Sequence, residues 1–357
     1  MQDVVIHGLG HVGLPLAAAI GRVHRVWGVD PRGRAVLDGA EREPGLVEAV
    51  ASLQMDAPPV SVDVAIVAVP TPLAGEGAAD LSAVRSATAC ALEVLREGGL
   101  LLLASTCPVG TARGLSVPAG IAVASLPERG LPGRMLAEVV GAARLVGGVG
   151  EAATDRAVAF VATWCDGEVI GVSAEEAELA KLVENSWRDL SIAFANEVET
   201  AARGLELDGA RVLQLASTHP RVDLAVPGIG VGGHCLPVDP HFLPAGMVLP
   251  RVARGINDGR VDEMVERIRA RASGRVGVLG LAYKPGVADA RNAPAVAIVE
   301  RLRAEGIDVV AHDPYVGDVD VPRGSLEDVL ACGLVVRLVD HGATADVEVH
   351  LDLARLS

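Results

Sequence analysis

Short apolar runs rich in valine, each ending at glycines or a polar turn, alternate with stretches of helical period from the start of the chain. Residues 4–20, VVIHGLGHVGLPLAAAI, read as a strand, a glycine turn and a helix, and VWGVD follows as a second strand ending on Asp30. Strand-like segments recur at VDVAIVAVP (62–70), GLLLLAS (99–105), IAVASLP (121–127) and RLVGG (144–148). Continuous apolar strands separated by helices are the pattern of a parallel sheet covered on both faces, so the first domain is expected to be doubly wound and to close near Val172. Ser173 and Glu176 have the spacing of a capping box and open a helical pattern that runs to about Gly204 without an internal glycine or proline. From Gly274 the pattern begins again with VGVLG, the loop LAYKPGVADARNAP, a helix to about Glu305 and the strand IDVVAHD ending at Asp313. The expected fold is α/β, with two Rossmann-like doubly wound parallel-sheet domains joined by a long central helix. The segments are 1–172, 173–272 and 273–357.

Composition narrows this picture. The 357 residues leave room for two or three domains, half are apolar, and aromatics reach only 2%, so the cores must be built from Val, Leu, Ala and Ile. No apolar run approaches the roughly 20 residues of a membrane span, and the N-terminal apolar stretch begins a strand without a basic leader, so a cytoplasmic protein is expected. The five cysteines are odd in number, widely spaced and free of C-x-x-C pairs, which argues against a disulfide framework and against a zinc site; no metal is expected. A formal net charge of −15 makes nucleic acid an improbable partner, because no basic stripe is available to displace counterions from a phosphate backbone. A small anionic ligand remains compatible, held by helix N-termini and a few Arg or Lys side chains.

Candidate chemistry lies in the turns. Gly8, Gly10 and Gly13 form G-x-G-x-x-G around His11 and Val12, and Asp30 lies 20 residues beyond Gly10. That spacing suits a dinucleotide turn, with the glycines admitting the pyrophosphate and the acid taking the ribose hydroxyls, so NAD is favoured; Arg32 and Arg34 leave NADP open. Three further turns stand where strands should end: Val69-Pro70-Thr71-Pro72, Ser105-Thr106-Cys107-Pro108 and Pro127-Glu128-Arg129. Lys181, Asn185 and Asn196 fall on nearly one face of the long helix, either as a solvated stripe or as a functional line. In VGGHCLPVDP, Cys235 sits between glycines and a rigid turn with Asp239 four residues on. This is either a presented nucleophile or a small buried cysteine. Lys284 and Arg291 lie in the loop after VGVLG, placed to meet an anion or merely solvated.

Taken together, these motifs resemble the nucleotide-sugar 6-dehydrogenases of the UDP-glucose/GDP-mannose dehydrogenase family. The resemblance runs through GLGHVGLPLA, EPGL at Glu43 to Leu46, VPTP, STCPVGT, PERGLPGRML, KLVEN, GVGGHCLPVDP and LAYKPGVADARNAPA. HPRVDL and PERGLPGRML look most like the branch that oxidises UDP-N-acetyl-D-mannosamine, and Pro132 stands where the UDP-glucose enzymes tend to carry a second glutamate. The resemblance implies oxidation of a primary 6-alcohol to a carboxylate by two NAD molecules in succession, in polysaccharide biosynthesis. It implies that Cys235 forms a thiohemiacetal and then a thioester. Asp239, or a water held by Asp239, Lys181 and Asn185, takes the first proton. Lys181 and Asn185 stabilise the negative oxygen, while Glu128 and Thr106 position water for hydrolysis.

By the same resemblance, Gly8, Gly10, His11, Val12, Gly13, Asp30, Thr71, Thr106 and Arg291 contact the cofactor. Glu128, Arg129, Lys181, Asn185, Arg221, Gly232 and Lys284 contact the UDP-sugar. Cys107 is expected to be a bystander and His234 to orient its loop. Arg221 and the long helix imply a homodimer or a dimer of dimers. AVASLQMDAPPVS (49–61) looks trimmed against the family pattern. Two rivals remain at this level. A two-electron β-hydroxyacid-type dehydrogenase would have no use for Cys235. A non-catalytic binding protein would be expected to lack one of Glu128, Lys181, Asn185, Cys235 and Asp239, all of which are present.

Overall fold

The structure, a computed structural model, describes residues 1–35, 37, 45–51, 53–130, 134–317 and 319–356. Glu43, Pro44 and Pro132 of the family-like motifs lie outside the described residues. The first half of the chain runs β1 (Asp3–His7), α1 (Gly13–Gly21), β2 (Arg25–Val29), α2 (Leu46–Ala49), β3 (Val62–Val67), α3 (Ser82–Val94), β4 (Leu95–Leu103), α4 (Thr111–Gly114), β5 (Ala122–Ser125), α5 (Met135–Gly141), β6 (Arg144–Gly148), α6 (Glu151–Val161) and β7 (Val169–Ser173). It continues through α7 (Ala174–Gly204), α8 (Gly209–Ala216), α9 (Leu249–Arg269), β8 (Val276–Leu279), α10 (Pro294–Ala304), β9 (Val309–His312), α11 (Leu326–Leu330), β10 (Leu334–Arg337) and β11 (Leu351–Asp352). The chain divides into two compact units, Met1–Val183 with His241–Pro244, and Glu184–Pro240 with Ala245–Ser357.

In the first unit, seven strands lie in the order β2-β1-β3-β4-β5-β6-β7. Period-2 alternation divides each strand between two cores. Val4, Ile6, Val64, Ile66, Leu100 and Leu102 face α1, α5 and α6, while Val5, Ala65, Val67, Leu101 and Leu103 face α3. The sheet departs from the all-parallel expectation at one junction, where β6 pairs antiparallel with β5 through Ala124↔Gly148 and Ser125↔Gly147. β6 and β7 are parallel to each other, so they form a βαβ appendage laid in reverse on the sheet edge. A short apolar run such as RLVGG encodes burial but not the direction of its neighbour. The 49–61 segment reaches β2 by a parallel bridge, Trp27↔Gln54.

The second unit repeats the plan on a smaller scale, with four parallel strands in the order β11-β10-β8-β9. α9 and α10 bury Met264, Ile268, Ile298 and Val299 with Val276 and Val278, while α11 contributes Val329 against Leu279, Val310 and Val335. The long helix begins as its sequence demands. Ser173 Oγ accepts from the Glu176 amide at 3.3 Å and Glu176 Oε2 accepts from the Ser173 amide at 2.8 Å, a capping box worth about 1 kcal/mol. Among the described residues, no helix is long and apolar enough to cross a membrane.

Candidate active site

The glycine turn of the first unit has the geometry its sequence requires. Gly8 adopts φ 89° and donates its amide to Val29 O at 2.8 Å, and a Cβ there would meet Ala68 O at 2.4 Å. A Cβ at Gly13 would lie 1.8 Å from Gly8 O, so only glycine lets α1 pack on the turn. Gly10, by contrast, faces open space, and no side chain caps the start of α1 at Val12. The room at Gly10, at the uncapped start of α1, suits a pyrophosphate. Asp30 accepts from the Leu9 amide at 2.9 Å and pairs with the exposed Arg32 at 3.0 Å. Partial burial pushes its carboxyl pKa up, but the hydrogen bonds from Arg32 and Leu9 outweigh this and hold it below the usual carboxylate value. Asp30 is therefore an ionised acceptor at the end of β2, and its ion-pair partner is a surface side chain. A dinucleotide fits these residues.

The loops after β3 and β4 are laced together. Thr71 Oγ1 donates to Thr106 O at 2.7 Å, and the Val69 amide donates to Ser105 Oγ at 2.9 Å. Glu178, just over one turn into α7, accepts from the Gly110 and Ala112 amides at 2.6 and 2.8 Å and so anchors the STCPVGT loop. Burial raises the Glu178 pKa, and those amides oppose the rise. Cys107 is buried within the apolar core. Glu128 is buried and triply held: Oε1 accepts from the Arg129 and Gly130 amides at 2.8 and 2.7 Å, and Oε2 accepts from Arg144 at 2.8 Å. Arg144, itself buried, lies over the Trp164 ring at 5.3 Å and donates to Val139 O. Removing one member of such a pair strands the other charge, at a cost of about 3–5 kcal/mol. Arg129 directs its guanidinium to Ala143 O at 3.2 Å. Sequence reasoning missed both Arg144 and Glu178. The only signal was a charged residue at an otherwise apolar position, an arginine opening the strand RLVGG and a glutamate on the inward face of a helix.

In the second unit the Cys235 turn is closed by its own backbone, since Cys235 O accepts from the Val238 and Asp239 amides at 3.0 and 2.8 Å. Cys235 is exposed, whereas Asp239 is buried and accepts from Asn185 Nδ2 at 2.5 Å. The thiol turn, the carboxylate and the helix face carrying Asn185 are thus joined. Lys181, half-buried, precedes Asn185 by one turn of α7. Asn196, on the same line, is fully buried; it accepts from the Gly228 amide at 2.8 Å and donates to Asn257 at 2.9 Å. The line is therefore not a solvated stripe. His234 lies 3.6 Å from Asp289, and burial first, with Arg291 nearby, lowers its pKa and leaves it neutral at neutral pH. Arg291 is exposed and pairs with Asp289 at 2.6 Å, while Arg221 and Lys284 are exposed on separate loops. Gly232 is hemmed in by Asn292 O, 2.6 Å from where a Cβ would stand. The five cysteines form no disulfide. Among the described residues, no group of three or more His, Cys, Asp or Glu is placed to hold a metal.

A Rossmann-type sheet with an open glycine turn and an acid at the end of its second strand defines the class, a dinucleotide-binding α/β protein. Three family models match in order along the chain. They are the NAD binding domain (2–165), the central domain (175–248) and the UDP binding domain (277–350) of the UDP-glucose/GDP-mannose dehydrogenase family. The chain belongs to that family; it is an NAD-dependent nucleotide-sugar dehydrogenase, and NAD is its cofactor. It is 34% identical to the UDP-N-acetyl-D-mannosamine dehydrogenase of Methanocaldococcus jannaschii, over 95% of this chain and 86% of the relative. The solved UDP-D-ManNAc dehydrogenase of Pyrococcus horikoshii superposes with a TM-score of 0.88 at 34% identity, covering 97% of this chain and 91% of that one. The UDP-N-acetyl-mannosamine dehydrogenase Cap5O of Staphylococcus aureus gives 0.85 at 33% identity, covering 97% and 90%.

Proposed function

We propose that this protein oxidises UDP-N-acetyl-D-mannosamine to UDP-N-acetyl-D-mannosaminuronate through a covalent Cys235 adduct. The observation that carries the reading is the joined set of Cys235, Asp239 and Asn185 in one unit, with Lys181 one helical turn from Asn185. The relatives named above, all acting on UDP-N-acetylmannosamine, support the choice of sugar. When bound, NAD accepts one hydride in each of two oxidations. Asp239, directly or through a water it shares with Lys181 and Asn185, takes the proton of the 6-hydroxyl as the aldehyde forms. The Cys235 thiolate adds to the aldehyde carbon, giving a thiohemiacetal whose oxygen is stabilised by Lys181 and Asn185. Loss of the second hydride leaves a thioester. Water positioned by Glu128 and Thr106 cleaves it, returning the thiol and releasing the carboxylate.

Gly8, Gly10, His11, Val12, Gly13, Asp30, Thr71, Thr106 and Arg291 serve the cofactor. Arg129, Arg221, Gly232 and Lys284 serve the sugar nucleotide, together with Glu128, Lys181 and Asn185. The segments 1–172, 173–272 and 273–357 act as NAD-binding, central and UDP-sugar-binding parts. The working unit is a homodimer, supported by Trp187 and Phe194, large apolar side chains exposed on α7. A nucleophilic thiol suits the reducing cytoplasm, and a uronic acid product suits polysaccharide synthesis. The test is to incubate the protein with NAD and, in parallel, UDP-N-acetylmannosamine, UDP-N-acetylglucosamine, UDP-glucose and GDP-mannose, identifying the products by mass spectrometry. A 6-carboxylate from the first alone is expected; turnover of another sugar in its place would overturn the substrate assignment.

A further inference from the structure

The turn that presents Cys235 is gripped by the loop that carries Lys284 and Arg291. The Gly233 amide donates to Arg291 O at 3.3 Å, and Gly233 O accepts from Asn292 Nδ2 at 3.0 Å. Both backbone groups of a buried glycine two residues before the nucleophile are thus satisfied by adjacent residues of one loop. Asn292 has φ 51°, a left-handed conformation adopted by only one other non-glycine residue among those described. Asparagine tolerates that region better than most residues, so the sequence supplies there the side chain able both to adopt the bend and to reach back. The amide orientation follows from the same contact, because the flipped form would set Oδ1 against Gly233 O. The fit is tight around it: a Cβ at Gly232 would meet Asn292 O, and one at Gly233 would lie 3.1 Å from the Tyr283 ring. Next along the turn, His234 faces Asp289 of the same loop.

We propose that Asn292 is a positioning residue for the nucleophile: its side-chain amide fixes the Gly233 carbonyl, and with it the direction in which the turn presents the Cys235 thiol. The inference rests on Cys235 being the nucleophile. It also ties the thiol mechanically to the loop bearing Lys284 and Arg291, so that the segment contacting the sugar nucleotide holds the attacking group as well. Loss of one hydrogen bond leaves the carbonyl buried without its donor and lets the turn sample other orientations. A displacement of about 1 Å at the reacting atom is enough to slow chemistry severely.

The experiment uses Asn292→Gly, which keeps the left-handed backbone, and Asn292→Asp, which keeps shape but replaces the donor with an acceptor. Turnover of UDP-N-acetylmannosamine, the KM for NAD, and the pH profile of Cys235 alkylation by iodoacetamide are measured on the full protein. Expected in both variants are a fall in kcat of about tenfold or more, a KM for NAD within about twofold of wild type, and a displaced alkylation profile. A merely structural role would lower the melting temperature and leave that profile in place. Wild-type kcat and an unmoved profile in either folded variant would overturn the proposal. Carbamidomethylation of Cys235 by the same iodoacetamide in the wild-type protein separates the two readings. If the alkylated enzyme still oxidises the sugar fully, the nucleophile assignment fails, whatever the Asn292 variants do.

Discussion

Gly8 and Gly280 occupy the same place in the two units, with φ 89° and 88° and amides donated to Val29 O and His312 O at 2.8 and 2.9 Å. Each is followed by a buried leucine, Leu9 or Leu281, and each turn is tied to an acid just past the second strand, Asp30 or Asp313. Beyond that point the turns differ. Gly10 leaves open space and Asp30 is paired with an exposed arginine. In the second turn Ala282 is buried in place of that glycine, and Asp313 is sealed. Asp313 accepts from the amides of Leu281, Ala282, Tyr315 and Val316 and from His341 Nε2 at 2.9 Å, while His341 Nδ1 accepts from the Gly286 amide at 3.1 Å. One backbone design therefore serves two ends. In the first unit the acid's ion-pair partner is an exposed arginine beside an open turn. In the second the acid is an internal fastener that holds three loops, one of them the Lys284 loop.

The sharpest way to break this comparison is to remove each acid. Asp313→Ala strands four amides and His341, and is expected to cost about 3–5 kcal/mol, read as a large fall in thermal or urea midpoint. Asp30→Ala strands the Leu9 amide and should cost about 1–2 kcal/mol of stability, less than Asp313→Ala, yet weaken NAD binding about tenfold or more in calorimetric titration. Equal stability losses from the two substitutions would refute the division of labour.

The glycines sharpen it further. Gly280→Ala should destabilise by about 1–3 kcal/mol, because φ is positive and a Cβ would lie 2.5 Å from that of Val339. Gly10→Ala, facing open space, should leave the melting temperature nearly unchanged while lowering NAD affinity.

The smallest expected effect is at low pH. Partial burial pushes the Asp289 carboxyl up, but hydrogen bonds and charge from Arg291 bring it down from 3.8 to about 2. A folded-state pKa below the unfolded value means stability that is present above about pH 4 and lost as pH falls through about 2. Screened by solvent, it amounts to about 1 kcal/mol. Melts of Asp289→Asn against wild type should therefore differ at pH 5 and converge toward pH 2. Asp313 shifts in the same direction and adds to the same acid limb.

Much of this was legible in the sequence because it is local. The G-x-G-x-x-G turn, Asp30, the Ser173–Glu176 box and the Cys235–Asp239 turn are encoded within a few residues or at a fixed spacing, and the renewed strand pattern at Val276 announced the second sheet. The reversed β6, the Arg144–Glu128 pair, the Asp313–His341 fastener and the Asn292–Gly233 clamp were not legible. Each joins residues brought together only by the fold, and none has a periodicity to betray it. A buried arginine and a buried histidine look, in sequence, like any surface charge.

The most direct test of the covalent account counts NADH formed per UDP-N-acetylmannosamine consumed, in wild type and in Cys235→Ser side by side, with NAD binding confirmed in both. Two NADH per sugar from wild type and fewer than two from the variant are expected; two from Cys235→Ser, or one from wild type, would contradict it.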